Sequence, residues 1–170
     1  SFARISTAIS KYWITKRAPY LVFEALECHG GPGYIEESIM PRLYREAPLN
    51  SIWEGSGNVM CLDVLRALQR DKNALPALFR ELASAKGSNK NYDVSFNHLK
   101  DTLQDPIDLE IEARLLTEKM ACLIQASIFI KSGEEEKVSA FCNSRLGPRW
   151  SGAFGTLPND TNFEYIMSGL

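Results

Sequence analysis

Apolar side chains in this 170-residue sequence recur at every third or fourth position, and no stretch of six residues alternates apolar and polar side chains. A spacing of three or four residues places apolar groups on one face of an α-helix, whereas a strand buried on one side requires alternation of apolar and polar residues. Short runs of glycine, proline and small polar residues separate the segments with helical spacing. The sequence therefore predicts an all-α protein whose helices bury their apolar faces against one another.

The first predicted helix covers residues 2–28, where residues such as Ile5 and Ile9 follow the helical spacing. Pro19 interrupts this segment, so the chain either kinks there or begins a second helix with proline in its first turn. The glycine-rich run at 30–33 ends the pattern. Glycine tolerates the positive φ that follows many helix C-termini, and proline prevents the helix from continuing.

Further helices are predicted on both sides of residue 70. They cover 36–45, 58–69, 75–85, 92–103, 105–131 and 134–145. We therefore expect a helical module at 1–70 and an additional helical bundle with an irregular tail at 71–170. The aromatic side chains of that tail are expected to anchor it in a groove on the bundle or on a partner, because a disordered tail would not retain so many of them. They are Trp150, Phe154 and Phe163.

Charge and cysteine content exclude several classes of protein. The chain has 19 Lys and Arg against 21 Asp and Glu; residues 1–70 carry a net charge of +1 and residues 71–170 one of −3, so neither half has the basic excess of nucleic-acid-binding proteins. No apolar run approaches the about 18 residues that a membrane span needs. The four cysteines are widely spaced and there are only two histidines, so we predict no metal site and expect a reducing compartment.

Three short motifs lie close together in the first part of the chain. They are GGPGY at 30–34, Arg-Glu-Ala at 45–47 and Trp-Glu-Gly-Ser-Gly-Asn at 53–58. Their order and spacing resemble the GGxGY, RDA and EGT motifs near the C-terminus of acyl-CoA dehydrogenases. The sequence at 53–58, together with Ser-Arg-Leu-Gly at 144–147 and Phe-Gly-Thr-Leu at 154–157, is similar to that of the AidB-like branch of the superfamily.

The resemblance implies a place for each part of the chain. Residues 1–70 would correspond to the last third of the dehydrogenase core, and residues 71–170 to the extra helical domain of the AidB-like branch. We accordingly expect a C-terminal portion of a longer protein, starting internally at Ser1, without the domains that hold much of the flavin and substrate sites. The implied location is intracellular, cytoplasmic or mitochondrial, with any targeting region outside this sequence.

The resemblance also implies a catalytic base. An acyl-CoA dehydrogenase removes a proton from the α carbon of a thioester while a hydride leaves the β carbon for FAD, so it requires a carboxylate aimed at the α carbon. Glu54 stands where the resemblance places this base. Without the neighbouring motifs, Glu54 would be interpreted as an exposed loop residue or an acid near a helix N-terminus.

Contacts to FAD are implied at two places. Gly30, Gly31 and Gly33 present backbone that a dinucleotide can approach closely, and in the family this loop reaches FAD bound mainly by a neighbouring subunit, which implies a homo-oligomer, a dimer or a tetramer. A tight turn after a helix would use the same glycines. Ser56 and Asn58 match positions that contact FAD, although Ser56 is equally suited to cap the following helix.

Three further side chains have two interpretations each. Tyr34 lines the acyl channel if the resemblance extends to it, or packs in the core. Arg45 is expected to form an ion pair with an acid rather than to contact a ligand. Arg66 matches an arginine on a face that AidB-like proteins use for duplex DNA; alternatively it pairs with Asp63 or faces water. The acidic balance of 71–170 disfavours DNA binding.

Three functional accounts follow. The first is an FAD-dependent dehydrogenase that takes an acyl-CoA substrate and passes electrons to a protein partner. The second is an AidB-like flavoprotein that binds DNA or long-chain acyl groups with little or no dehydrogenase activity. The third is a helical oligomerisation module, and an isolated fragment of 170 residues is expected to be inactive.

Overall fold

A computed structural model describes residues 1–104 and 109–169. Within these ranges the chain forms helices and no strand, which confirms the predicted all-α class. No helix in the described part of the chain is both long enough and apolar enough to cross a membrane. A 3-10 helix covers Ala47–Ser51 and a π-helical turn covers Cys142–Leu146. The α-helices in chain order are α1 (Phe2–Cys28), α2 (Gly31–Tyr34), α3 (Met40–Glu46), α4 (Gly57–Arg70), α5 (Ala74–Ala83), α6 (Lys90–Gln104), α7 (Ala113–Ser132), α8 (Glu135–Phe141) and α9 (Phe163–Ser168).

Helix α1 continues through Pro19, so the alternative of a second helix starting there is wrong. Proline cannot donate to the carbonyl oxygen one turn earlier, and a helix that contains it needs support from packing. The N-terminal half of α1 packs on the core through the buried side chains of Ile5, Ile9 and Trp13. Helix α1 contacts α3, α4, α5, α7 and the 3-10 helix, and so it positions the motif-bearing segments around it.

One continuous apolar core joins the helices on both sides of residue 70. Burying such large side chains away from water is the main favourable contribution to folding. The division into a module at 1–70 and a bundle at 71–170 stays a prediction. Fully buried members of the core include Ile9 of α1, Val64 of α4, Leu78 of α5, Leu99 of α6 and Leu123 of α7.

Three predicted helices have clearly different bounds in the structure. The helix predicted over 36–45 becomes α3, which begins only at Met40, after a turn and bend at 36–39, where Pro41 suits the first helical turn. Helix α7 begins at Ala113, after a turn at 109–112, whereas the sequence predicted a start at 105; residues 105–108 lie outside the described residues. It ends at Ser132, and the next residue, Gly133, has a left-handed φ of 75°. The helix predicted over 134–145 is divided into α8 and the π-helical turn.

The tail is attached to the bundle by two of its three aromatic side chains. The rings of Trp150 and Phe154 stack against the guanidinium group of Arg17 on α1. Phe163 is 54% exposed and lies in α9, a short helix in a region that was predicted to be irregular. Asn162 caps this helix, because its side chain accepts a hydrogen bond from the backbone N–H of Tyr165 at 3.1 Å.

Candidate active site

The predicted catalytic acid, Glu54, lies in the turn between the 3-10 helix and α4. Its φ of 59° is left-handed, and no other non-glycine residue in the described ranges has a positive φ. The next residue, Gly55, has a φ of 114°. Glu54 is exposed, and its neighbours Ile52 and Trp53 are 64% and 57% exposed. The described residues thus present the carboxylate at the surface on a strained backbone.

Lys11 of α1 holds this turn in place. Its Nζ donates to the carbonyl oxygen of Trp53 at 2.5 Å and to that of Gly55 at 2.9 Å. These two residues flank Glu54 on either side. Hydrogen bonds from an ammonium group are stronger than those between neutral groups. Sequence reasoning missed Lys11, because its partners lie 42 and 44 residues further along the chain.

Helix α4 begins next to side chains of α1. A Cβ at Gly57 would lie 2.4 Å from Cε of Lys16 and 3.4 Å from Cε2 of Tyr12. The missing side chain therefore leaves room for the end of the Lys16 side chain and the Tyr12 ring beside the first turn of α4. Sequence reasoning gave Gly57 no role. The available signal was a glycine at the start of a helix, a position where other residues have higher helix propensity.

Ser56 and Asn58 lie beside Glu54 at the start of α4. Ser56 occupies the N-cap position, but its side chain makes no capping hydrogen bond. Asn58 is exposed, and its Oδ1 accepts from Nε of Arg114 at 3.4 Å. The structure therefore brings a carboxylate, a hydroxyl and a carboxamide together within one short exposed segment.

The glycine loop lies at the C-terminal end of α1. Gly30 has a φ of 62°, and a Cβ at Gly30 or at Gly31 would meet no atom within 4 Å. Gly33 differs, because a Cβ there would lie 2.2 Å from the carbonyl oxygen of Leu26. Gly33 is thus required by packing against α1, whereas the backbone at 30–31 is open to approach from outside.

A single copy of the chain does not bring the glycine loop and Glu54 together. Lys11 contacts the Glu54 turn, and α1 continues from there to Cys28 just before the loop. At a rise of 1.5 Å per residue this part of the helix is about 25 Å long. The predicted base and the predicted cofactor loop therefore contact α1 at positions about 25 Å apart along the helix.

Tyr34 and Arg45 lie near the glycine loop. Tyr34 is 79% exposed, so it does not pack in the core of this chain. It lines an open pocket of about 480 Å³ together with Tyr44 and Arg45. Both Nη atoms of Arg45 donate to the carboxylate of Glu36, at 2.7 and 3.1 Å, which is the ion pair expected for Arg45. These hydrogen bonds lower the pKa of Glu36.

Arg66 lies on an exposed face of α4. Its Nη1 is 3.6 Å from Oδ1 of Asp63, so the pair expected at this spacing is present. Arg66 also lines a surface cavity of about 110 Å³ with Arg4 and Arg70. The structure therefore groups three arginines from α1 and α4, with Asp63 among them.

The cysteines are free thiols in the described ranges. Cys28 is exposed, whereas Cys61, Cys122 and Cys142 are buried. Burial raises the pKa of Cys122 to about 12 and that of Cys142 to about 11. Among the described residues no three His, Cys, Asp or Glu side chains lie close enough to hold a metal ion.

Comparison with known proteins identifies the segment that contains the turn and the glycine loop. Residues 3–69 match the family model of the acyl-CoA dehydrogenase C-terminal domain. This segment belongs to the acyl-CoA dehydrogenase family. The resemblance inferred from the three motifs is thereby confirmed, and the acyl-CoA dehydrogenase segment, residues 3–69, includes Glu54 and nearly all of α1 and α4.

Individual relatives extend the match beyond this segment. AidB of Escherichia coli K12 is 39% identical over 148 residues, which cover 87% of this chain and 27% of AidB. Acyl-CoA dehydrogenase family member 11 of Caenorhabditis elegans is 35% identical over 104 residues, which cover 61% of this chain and 17% of that protein. The predicted likeness to the AidB-like branch is therefore confirmed.

A solved structure shows the same arrangement of helices. The crystal structure of Caenorhabditis elegans ACDH-11 in complex with C11-CoA superposes with a TM-score of 0.72 and 26% sequence identity. The superposition covers 84% of this chain and 29% of the ACDH-11 chain. The chain thus spans less than a third of the length of each of these relatives.

Proposed function

We propose that this chain supplies the catalytic base and part of the FAD site of an acyl-CoA dehydrogenase. The Glu54 carboxylate takes the proton from the α carbon of the acyl thioester, and the β carbon loses a hydride, which leaves a double bond between the two carbons. The observation that carries this proposal is the exposed Glu54 turn within the acyl-CoA dehydrogenase segment. Within the described ranges, the Glu54 carboxylate takes part in none of the ion pairs.

FAD, when bound, would accept the hydride. The residues present are compatible with a dinucleotide, because the backbone at Gly30 and Gly31 is unobstructed and the side chains of Ser56 and Asn58 are exposed polar groups. Gly33 would act by keeping the loop against α1. Since the loop and Glu54 lie about 25 Å apart along α1, we infer that they serve different cofactor molecules in a homo-oligomer, a dimer or a tetramer.

The proposed substrate is an acyl-CoA, in line with the C11-CoA bound in the ACDH-11 structure. Tyr34, exposed beside an open pocket, would line the acyl channel. A dehydrogenase of this type passes its electrons to an electron-transfer partner. The free thiols fit an intracellular location, cytoplasmic or mitochondrial, because reducing compartments keep cysteines unpaired.

Replacing the base tests the proposal in the natural protein. Glu54→Gln should retain flavin absorbance but lose bleaching of the flavin bands by an acyl-CoA, because the amide cannot accept the α proton. Glu46→Gln is a matched control, since Glu46 is an exposed glutamate whose ion pair, among the described residues, is with Arg42 on the preceding turn of the same helix. It should bleach like the wild type. Normal bleaching in Glu54→Gln would remove Glu54 from the role of base.

The second candidate function is the AidB-like one, binding of duplex DNA or of long-chain acyl groups with little dehydrogenase activity. The grouping of Arg4, Arg66 and Arg70 on one surface favours binding of duplex DNA over binding of acyl groups. Removing one phosphate contact should weaken binding for all sequences and reduce the salt dependence of log K by about one. Arg66→Ala should therefore bind DNA less tightly, and its log K should depend less steeply on salt. Arg42→Ala is the control and should bind DNA like the wild type. If the wild type does not bind DNA at low salt, DNA binding is excluded.

A further inference from the structure

The two hydrogen bonds of Lys11 determine how the backbone runs through the Glu54 turn. The carbonyl of Trp53 belongs to the peptide unit immediately before Glu54, and the carbonyl of Gly55 belongs to the unit just after Gly55. One ammonium group therefore fixes the peptide planes at both ends of the two-residue segment Glu54-Gly55. These are also the residues with the left-handed φ values of 59° and 114°.

A glutamate in the left-handed region requires such support. Left-handed backbone is unfavourable for a non-glycine residue, and it persists only where surrounding contacts determine it. Gly55 tolerates a positive φ without this cost. In the described ranges, no other cation donates to the carbonyls that flank Glu54. Release of this contact would free the turn to relax toward ordinary backbone angles.

We propose that Lys11 is a positioning residue for the catalytic base, and this proposal rests on the role of Glu54 given above. By pinning the turn from both sides, Lys11 fixes the direction in which the Glu54 side chain leaves the backbone. A general base works only within hydrogen-bonding distance of the proton that it removes. A displacement of the reacting group by about 1 Å can lower the rate about a hundredfold.

The chain offers a matched pair of substitutions on α1. Lys11→Met keeps a side chain of similar length but removes the ammonium donor. Lys16→Met removes an ammonium from the same helix while keeping the stem that covers Gly57. Lys11→Arg restores a cationic donor at the first position. In the natural protein, Lys11→Met should lower kcat about ten- to a hundredfold, with KM and flavin content unchanged. Lys11→Arg should recover part of the lost kcat. Lys16→Met should have the kcat of the wild type.

Hydrogen–deuterium exchange provides a measurement that does not depend on activity. In Lys11→Met the backbone amides of 53–57 should exchange faster, while those in the middle of α4 keep their wild-type rates. Wild-type kcat and wild-type exchange in Lys11→Met would overturn the proposal. So would faster exchange throughout α1 and α4 with loss of bound flavin, because that pattern indicates a general structural role.

The two proposals fail in different ways. If Glu54→Gln retains turnover, the assignment of the base is wrong whatever Lys11→Met does. If Glu54→Gln loses turnover and Lys11→Met keeps wild-type kcat, only the positioning role of Lys11 is wrong.

Discussion

The guanidinium carbon of Arg17 lies 4.1 Å from the centroid of the Phe154 ring, which joins α1 to the tail of the chain. The same guanidinium stacks over Trp150 at 5.4 Å. Its Nη1 donates to the carbonyl oxygen of Gly152, 135 residues further along the chain, at 2.6 Å. Arg17 therefore contacts three tail residues at once, through cation–π stacking and a charge-assisted hydrogen bond.

Arg17→Ala should release the tail around residues 150–154. Each cation–π contact contributes about 0.5–1 kcal/mol, and a hydrogen bond from a charged group adds about 1.5–3 kcal/mol. We expect chymotrypsin to cleave after Trp150 and Phe154 several times faster in Arg17→Ala than in the wild type. Arg149→Ala is the control, because Arg149 is an exposed arginine of the same tail. Equal cleavage rates in both variants would show that Arg17 does not hold the tail.

Local sequence patterns predicted most of the helices, because apolar spacing is a property of neighbouring residues. Residues 2–28 and 58–69 were predicted within a residue of α1 and α4. Residues 109–112 were predicted as helix but form a turn before Ala113. Acidic residues near a proline generally predict a helix start, and this pattern placed the start of α7 at 105. The sequence could not show that α7 begins only at Ala113.

The candidate site was predictable only in part, for a physical reason. Glu54, Ser56 and Asn58 belong to one contiguous motif, and the structure brings them together at the start of α4. Lys11 and Gly57 act through contacts between α1 and the turn, which depend on how distant segments pack. A single sequence shows no spacing that links such partners. The anchoring of the tail by aromatic residues was predicted, but its partner Arg17 was not, for the same reason.

Gly33→Ala should destabilise the acyl-CoA dehydrogenase segment. A Cβ at Gly33 would lie 2.2 Å from the carbonyl oxygen of Leu26, and a backbone atom cannot move aside as a flexible side chain can. Overpacking of this kind costs about 1–3 kcal/mol. Thermal unfolding should therefore occur several degrees lower than in the wild type.

Gly31→Ala is the matched control for that measurement. It adds the same methyl group two residues earlier, where nothing lies within 4 Å of the new Cβ. We expect its melting temperature to equal or slightly exceed that of the wild type, because alanine restricts the unfolded chain more than glycine does. A similar loss in both variants would contradict the packing role of Gly33.

Thiol labelling should distinguish Cys28 from the other cysteines. Cys28 is exposed at the end of α1, whereas Cys61, Cys122 and Cys142 are buried. A thiol reagent such as dithionitrobenzoate should modify one thiol per native chain rapidly and all four in urea. Cys28→Ser should abolish the rapid phase. Rapid labelling that persists in Cys28→Ser would show that a core thiol opens to solvent.

Stability should fall as the pH rises above about 9, because burial raises the folded-state pKa of Cys122 from 9.0 to about 12. Below pH 9 the thiol is protonated in both states and its contribution is complete. Between pH 9 and the folded-state pKa, the unfolded chain loses the proton and the folded chain keeps it, so the equilibrium moves toward unfolding. Each such group lowers the free energy of unfolding by about 1.4 kcal/mol per pH unit.

Urea unfolding of the wild type and Cys122→Ala between pH 8 and pH 10 measures this effect. Alanine has no proton to lose, so Cys122→Ala should lose less stability over this interval than the wild type, by about 1 kcal/mol. Its lower stability at pH 8 does not affect the comparison, because the decline is measured within each variant. Cys142 remains in both proteins and contributes equally to both declines, since burial raises its pKa as well. Equal declines in the two proteins would mean that the thiol of Cys122 titrates alike in the folded and unfolded chains.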